Sequence, residues 1–363
     1  MKYKLLVLDV DGTLLDSEKK ISKRTLAALL KVQQMGVRIV LASGRPTYGL
    51  MPIAKALELG NYGGFILSYN GGQIINAQSG ELLFERRINP EMLPYLEKKS
   101  RKNGFAIFTY HEDTIITDSP ENEHIRREAE LNGLKIIAET EFSIAVDFAP
   151  CKCMLVSDDE EALVGLEDHW RRRLNGALDV FRSEPYFLEV VPCSIDKSNT
   201  LGALLEKLGI NSEEVIAIGD GVCDVSMIQS AGLGIAMGNA QDSVKVCADR
   251  ITASNDEDGV AEAVEGDTCR NPPRRRAPGS TQPACPPRID GKSGHTIHLR
   301  LRRQGRGHHA RGRTYPPTFR HPARRCQPGI GRNRGRTGFH DTLQAGRNSG
   351  RHASQRKPYL LRP

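Results

Sequence analysis

The stretch Asp9-Val10-Asp11-Gly12-Thr13 follows directly on the apolar run Leu5–Leu8 and so places two carboxylates at the end of a predicted strand. Side chains two positions apart on a strand point to the same side, so Asp9 and Asp11 can face one reaction centre. Gly12 lets the backbone turn and lets a phosphate or a metal approach it closely. Taken alone, this pair is explained more simply as an acidic turn after a strand than as part of a reaction centre. Other segments of the chain are needed to distinguish these two interpretations.

A second apolar segment, Val37–Ala42, ends in Ser43, Gly44 and Arg45. The Ser43 hydroxyl and its neighbouring amides can donate hydrogen bonds to a phosphate, and Arg45 adds a forked donor that is permanently charged. Taken alone, Ser-Gly after a strand predicts only a turn.

Charged residues occupy similar positions later in the chain. Lys197 begins a helical pattern that ends at Gly209, although a cation in the first turn opposes the helix dipole. Phosphate binding would explain this lysine, and a solvated surface position is the other interpretation. The apolar run Val215–Gly219 leads into Asp220 and Asp224, and carboxylates are the ligands that hard cations such as Mg²⁺ take. Asp220 is therefore the third candidate metal carboxylate.

These four strand ends and helix starts together resemble the four motifs of the haloacid dehalogenase-like phosphatases, in the same order and near the usual spacing. Three more segments resemble the Cof-type subfamily, in which a larger cap domain is inserted between the second and third motifs: Ser68–Gly72, Gly234–Ala240 and Asn255–Ala261. The resemblance covers about residues 1–266.

The predicted fold is α/β, with a Rossmann-like, doubly wound parallel sheet as its core and an inserted α+β cap. Short apolar strands alternate with helical patterns, as in parallel sheets covered on both faces. The predicted strands are residues 3–9, 37–42, 64–68, 215–219 and 233–237. We assign residues 1–84 and 191–266 to the catalytic core and residues 85–190 to a substrate-specificity cap. His111, Glu112 and Glu189 are candidate pocket residues of the cap, but a solvated loop or strand face explains each of them better.

The resemblance implies roles for the carboxylates. Asp9 would attack phosphorus and form an aspartyl-phosphate, and Asp11 would act as general acid and then as general base. Mg²⁺ would be held by Asp9, by the backbone carbonyl of Asp11 and by Asp220, with Asp224 supporting the metal site.

The resemblance also implies a phosphate-binding set, made up of Val10, Ser43, Gly44, Lys197 and Cys223. Two residues depart from the family pattern. Position 223 is usually Asn, whereas a Cys223 thiol is only a weak donor. The residue after the lysine is usually Gly and is Ser198 here. We expect these changes to lower efficiency or to alter phosphate binding, and the alternative is a catalytically weakened phosphate-binding relative.

Charge separates the chain into two parts. The formal net charge of the 363 residues is +7, but residues 267–363 hold 23 Lys+Arg and 3 Asp, and residues 1–266 hold 28 Lys+Arg and 41 Asp+Glu. The Arg-, Pro- and Gly-rich tail shows no helical or strand periodicity and is predicted to be disordered. We favour translation in the wrong reading frame as its origin over an evolved tail that binds nucleic acid through phosphate contacts.

The remaining features exclude several classes of protein. The cysteines of residues 1–266 have no paired C-x-x-C spacing, so the sequence indicates neither a zinc site nor a disulfide framework. There is no signal peptide and no run of 18 apolar residues, which predicts a cytoplasmic protein that does not contact a membrane.

Together with the resemblance, the sequence predicts a Mg²⁺-dependent phosphatase acting on a small phosphorylated metabolite, with a sugar phosphate as the favoured substrate class.

Overall fold

A computed structural model of the chain describes residues 2–267. Within this range the strands are β1 Leu5–Leu8, β2 Arg38–Ala42, β3 Phe65–Ser68, β4 Gln73–Asn76, β5 Leu82–Glu85, β6 Ala106–His111, β7 Thr114–Thr117, β8 Lys135–Ala138, β9 Cys153–Val156, β10 Leu178–Glu184, β11 Phe187–Pro192, β12 Val215–Gly219, β13 Leu233–Ala236 and β14 Arg250–Ile251. The α-helices are α1 Lys23–Gln34, α2 Thr47–Ala56, α3 Leu93–Asn103, α4 Glu123–Asn132, α5 Phe142–Ala145, α6 Glu160–Arg173, α7 Lys197–Leu208, α8 Val225–Ser230, α9 Asp242–Lys245 and α10 Gly259–Asp267.

The core is an eight-stranded sheet in the order β14-β13-β12-β1-β2-β3-β4-β5. The first six of these strands run parallel, and the β4–β5 hairpin continues the sheet in antiparallel fashion. Separate apolar clusters cover its two faces, one including residues of α1, α2 and α10 and the other residues of α7 and α8. The predicted α/β architecture is confirmed, and the sequence did not reveal the hairpin or the two-residue strand β14.

Local signals set the limits of two core helices. The side chain of Ser22 accepts a hydrogen bond from the backbone N–H of Thr25 and caps α1. Asp196 caps α7 in the same way by accepting from the backbone N–H of Asn199, and Gly209 ends that helix in the left-handed conformation.

A second sheet, in the order β10-β11-β9-β6-β7-β8, forms between β5 and α7 along the chain. Its pairs are antiparallel except for the parallel pair β7–β8. One face packs on α3 and α6 around the buried side chain of Trp170, and the other face packs Phe108 against Ile125 of α4. This is the predicted α+β cap.

The cap touches the core directly above the ends of β2 and β3. Lys152 donates from its Nζ to the Gly44 carbonyl over 3.1 Å, and Arg45 of the core donates to the Leu131 carbonyl of α4 over 3.4 Å. The Tyr69 and Tyr110 rings, one from each part, lie 5.9 Å apart between centroids. The cap therefore covers this edge of the core sheet.

The predicted disordered tail lies outside the described residues, apart from Asp267, with which α10 ends. Among residues 2–267, no helix has both the length and the apolar character needed to cross a membrane.

Candidate active site

The predicted site residues meet at the carboxyl end of the parallel strands. Leu8 pairs with Leu41 of β2 and with Ile218 of β12, so β1, β2 and β12 end at similar heights. Asp9 and Asp220 follow two of these strands directly. Ligands of open α/β sheets bind at this edge, because loops and helix starts converge there.

Lys197 lies between two carboxylates. Its Nζ donates to Asp9 Oδ1 and to Asp224 Oδ1, each over 2.6 Å, and the exposed fractions of the three residues are 1%, 7% and 0%. Burial lowers the pKa of a lysine, but Asp224 and Asp9 outweigh that effect and hold the pKa of Lys197 well above its usual value. The solvated surface position considered for Lys197 is therefore wrong, and its two carboxylate partners explain a cation at the start of α7.

Three carboxylates form one cluster. Single oxygens of Asp9, Asp220 and Asp224 all lie within 4.8 Å of one another. Burial, and next the Asp224 charge, raise the pKa of Asp9 well above its usual value despite Lys197, and burial also raises the pKa of Asp220. Three carboxylates facing one ammonium leave an excess of negative charge, and hard oxygen donors of this kind suit a divalent cation. The donor set therefore fits a metal such as Mg²⁺.

Asp224 is held in place by the backbone of its own loop. Its Oδ2 accepts from the N–H groups of Asp220 over 3.1 Å and Gly221 over 2.9 Å. The carboxylate is fully buried, so these bonds and the Lys197 contact compensate for its lost hydration.

The side chain of Asp11 points to a different set of partners. Arg45 donates to both of its oxygens, from Nε over 2.6 Å and from Nη2 over 2.7 Å, and Lys19 donates over 2.9 Å. Burial raises the pKa of Asp11, but Arg45 and Lys19 outweigh it and leave that pKa below its usual value. The Asp11 side chain is not part of the carboxylate cluster found among the described residues, because Arg45 and Lys19 hold it elsewhere.

The loop after β2 offers a narrower set of donors than its sequence suggests. The Ser43 N–H donates to the Leu67 carbonyl, and the Arg45 N–H donates to Ser43 Oγ. Among the hydrogen bonds of residues 2–267, the Gly44 N–H has no acceptor. The Arg45 guanidinium, considered as a phosphate donor from the sequence, binds Asp11 instead. Ser43 Oγ and the Gly44 amide are the donors that this loop can present to a phosphate.

The loop after β1 is shaped by close backbone approach. Val10 is buried, and its carbonyl accepts from the N–H groups of Leu14 and Leu15. Gly12 has φ +82°, and a Cβ there would lie 2.5 Å from Asp220 Oδ2, so no larger residue fits beside the carboxylate cluster.

Two further side chains, to which the sequence gave no site role, fix this loop. Thr13 Oγ1 donates to Asp220 Oδ1 over 2.7 Å, and Asn239 Nδ2 donates to the Gly12 carbonyl over 2.8 Å. Thr13 lies in the motif Asp9–Thr13, and Asn239 lies in the segment Gly234–Ala240. Their membership of these motifs is the sequence signal from which a role at the site could have been predicted.

Cys223 lies next to the lysine and carboxylates but contributes little to them. Its Sγ is 3.8 Å from Asp224 Oδ1, and the residue is exposed. Local desolvation of the sulfur, and next the Asp224 charge, raise the pKa of the thiol, so it stays protonated and remains a weak donor.

The cap contributes a buried charged pair that the sequence did not predict. Lys152 and Glu189 are each 4% exposed, with Nζ and Oε2 3.3 Å apart. The expectation of a solvated strand face for Glu189 is therefore wrong, because β11 turns this side chain toward the core. His111 and Glu112 are exposed, as expected.

Comparison with known proteins gives a consistent result. The family model described as haloacid dehalogenase-like hydrolase matches residues 6–264. The 5-amino-6-(5-phospho-D-ribitylamino)uracil phosphatase YcsE of Bacillus subtilis is 34% identical over 265 residues, which are 72% of this chain and 94% of that protein.

Two solved structures are similar in fold over 72% of this chain and 98% of theirs. A haloacid dehalogenase-like hydrolase from Bacteroides thetaiotaomicron is 50% identical with a TM-score of 0.70. A haloacid dehalogenase subclass IIB sugar phosphatase is 26% identical with a TM-score of 0.61. The chain belongs to the haloacid dehalogenase-like hydrolases, in the Cof-type branch, and is a phosphatase.

Proposed function

We propose that this chain is a Mg²⁺-dependent phosphatase that hydrolyses a sugar phosphate or a similar polyol phosphate through an aspartyl-phosphate on Asp9. The observation that carries the proposal is the buried arrangement of Asp9, Lys197 and Asp224, with Asp220 beside it, at the end of β1. It combines a carboxylate nucleophile, a fixed cation and a set of hard oxygen ligands in one place.

In the first half-reaction, a carboxylate oxygen of Asp9 attacks phosphorus, and the bond from phosphorus to the leaving oxygen breaks. Lys197 orients Asp9 through Oδ1 and places positive charge beside the transferring group. Ser43 Oγ and the Gly44 amide donate to phosphoryl oxygens. Asp11 gives its proton to the leaving oxygen, so the product alcohol departs neutral.

In the second half-reaction, Asp11 takes a proton from water, and the resulting hydroxide attacks phosphorus. The bond between phosphorus and Asp9 breaks, which releases phosphate, restores the Asp9 carboxylate and leaves Asp11 protonated for the next turnover. Arg45 and Lys19 favour the ionised form of Asp11, the form that this step requires. The first step requires Asp11 to carry a proton despite these two cations.

Asp9 and Asp220 would hold Mg²⁺ together with the Asp11 backbone carbonyl, and Asp224 would support that set from its buried position. The metal would neutralise charge on the phosphoryl group. Thr13 fixes the Asp220 carboxylate for this purpose.

The substrate class rests on chemistry shared by two similar proteins. One carries the name of a phosphatase for a phosphorylated ribitylamino compound, and the other is called a sugar phosphatase. Both names describe phosphate esters of polyhydroxylated carbon chains.

A panel of phosphorylated metabolites, assayed with Mg²⁺, with EDTA and after Mg²⁺ is restored, tests this proposal. We expect turnover of sugar and polyol phosphates that disappears with EDTA and returns with Mg²⁺. A rate independent of metal contradicts the Mg²⁺ requirement. Phosphate binding without turnover of any ester supports the alternative of a weakened phosphate-binding relative.

We further propose that residues 1–266 are the complete catalytic unit, with the core and cap boundaries given above. The family match ends at residue 264, and the charge reverses soon afterwards. Ending the chain after Gly266 should leave kcat and KM unchanged and improve solubility. Salt-sensitive binding of RNA by the full chain, absent from the shortened chain, would support the alternative of a nucleic-acid-binding tail. Loss of phosphatase activity would show that the boundary is wrong.

A further inference from the structure

Lys152 and Glu189 form a buried ion pair in the cap, beside the core loop that contains Ser43. Lys152 precedes β9 and Glu189 lies within β11, and these strands are neighbours in the cap sheet. Lys152 Nζ donates to the Gly44 carbonyl over 3.1 Å and lies 5.5 Å from the centre of the Tyr110 ring. Lys152 thus contacts the backbone of the residue that follows Ser43.

Such a pair is a costly way to stabilise a cap. Taking both charges out of water costs several kcal/mol for each ion, and well-packed apolar residues in their place are often neutral or stabilising. A buried pair within the cap, at its contact with the core, therefore indicates a role other than stability.

One oxygen of the pair has room for a further hydrogen bond. Glu189 Oε2 is buried and lies 3.3 Å from Lys152 Nζ, and no described residue donates a hydrogen bond to it. A carboxylate oxygen can accept more than one donor, so this atom, beside the loop that contains Ser43, can take a donor from a ligand.

The neighbouring groups restrict the chemistry of that ligand. Glu128 accepts from the Tyr110 hydroxyl over 2.8 Å and from Asn132 Nδ2 over 2.9 Å, so Tyr110, whose ring lies beside Lys152, links a second carboxylate to the pair. With two carboxylates and one ammonium, the cluster disfavours a second phosphate or a carboxylate on the ligand. A neutral hydroxyl can donate to Glu189 and accept from Lys152.

We propose that Lys152 and Glu189 are specificity-determining residues that together bind a hydroxyl group of the substrate's leaving alcohol. The inference rests on the proposed function, because it places the phosphoryl group at Ser43 and the leaving alcohol toward the cap. The pair of Lys152 and Glu189 selects substrates whose leaving alcohol is neutral and polyhydroxylated over substrates whose leaving group is apolar or acidic.

Two five-carbon esters, ribitol 5-phosphate and pentyl phosphate, test the proposal, because they differ in their hydroxyl groups. We expect the unaltered full-length protein to hydrolyse ribitol 5-phosphate with the higher kcat/KM. Glu189→Gln and Lys152→Met should each lower kcat/KM for ribitol 5-phosphate about 10-fold to 100-fold, mainly through KM, because a hydrogen bond to a charged group is lost. The rate on pentyl phosphate should change less than about 3-fold on the same argument.

Two further variants distinguish recognition from a structural role. The double variant Lys152→Met/Glu189→Leu should melt no lower than the parent and should lose its preference for ribitol 5-phosphate. Glu161→Gln, at an exposed carboxylate of α6 in the cap, is the matched control and should change the rate on neither ester.

The outcomes separate this inference from the proposed function. Equal parent rates on the two five-carbon esters, or equal losses on both in the variants, overturn the roles of Lys152 and Glu189. Hydrolysis of p-nitrophenyl phosphate by the same parent preparation shows that the phosphatase assignment stands in that case. Failure on all three esters counts against the proposed function itself.

Discussion

The core edge and the cap face that meet at this site use charged residues in different ways. In the core, Asp9 and Asp220 each follow a strand, and Lys197 begins a helix, so the backbone architecture places them. In the cap, Glu189 lies in a strand and Lys152 directly before one, and Lys152 reaches the core loop after β2 only because the cap sheet packs over the core. The catalytic side chains are therefore positioned by the ends of the core strands. Recognition of the leaving alcohol depends instead on how the cap packs on the core. Core variants should therefore affect all substrates, and cap variants should affect some more than others.

The largest effect is expected for Asp9→Asn. An amide cannot attack phosphorus at a useful rate, so kcat should fall below about 1% of the parent value on every ester tested. Steady-state assays on polyol and apolar esters measure this, with the exposed Asp168→Asn as a control that keeps full activity. If the Asp9→Asn variant kept activity on one class of ester, the view that core residues affect all substrates would be wrong.

Arg45→Met tests the residue that contacts both Asp11 and the cap. Loss of a bidentate partner should misplace Asp11 and lower kcat about 10-fold to 100-fold. Because Arg45 lowers the pKa of Asp11, its removal should raise that pKa, so the acid form persists to higher pH. The alkaline limb of the kcat profile should then move toward higher pH. An unmoved limb, alongside an unchanged profile for the exposed Arg24→Met, would contradict a general-acid role for Asp11.

Cys223→Asn should raise kcat/KM on all esters, by about 3-fold to 100-fold, because an amide donates more strongly than a thiol to developing negative charge. Cys223→Ala should change little, since the thiol lies 3.8 Å from Asp224 and is a weak donor. If the Asn variant is slower and the Ala variant is crippled, the thiol has a role of its own.

The smallest effect concerns the contact between α2 of the core and α4 of the cap. A Cβ added to Gly49 would lie 2.2 Å from Asn132 Oδ1. Gly49→Ala should therefore push α4 of the cap away from α2 and weaken the packing between these two helices by about 1–3 kcal/mol. KM should rise a few-fold while kcat changes less. Gly202→Ala, in a helix with no atom within 4 Å of the added Cβ, is the control and should stabilise α7 by about 0.5–1 kcal/mol. Equal KM values for the two variants would contradict this view of the cap contact.

Sequence and structure agree most closely where periodicity and strand ends carry the signal. The parallel strands and the limits of α7 were predictable because apolar runs, Lys197 and Gly209 lie next to one another in the chain. The Arg45–Asp11 pair was not predictable, because a forked donor near a phosphate loop suits a phosphate equally well. Glu189 was misjudged for a related reason: the residues that bury it come from distant segments, and alternation within one strand does not specify which face is covered.

Chemical trapping of the covalent intermediate shows directly whether Asp9 is the nucleophile. The full-length protein, turning over a polyol phosphate with Mg²⁺, is quenched and treated with borohydride, which reduces an acyl phosphate to an alcohol. Peptide mass spectrometry should then find homoserine at position 9, and only when substrate and Mg²⁺ are both present. Active enzyme with an unmodified Asp9, or with the modification at Asp11, would show that Asp9 is not the nucleophile.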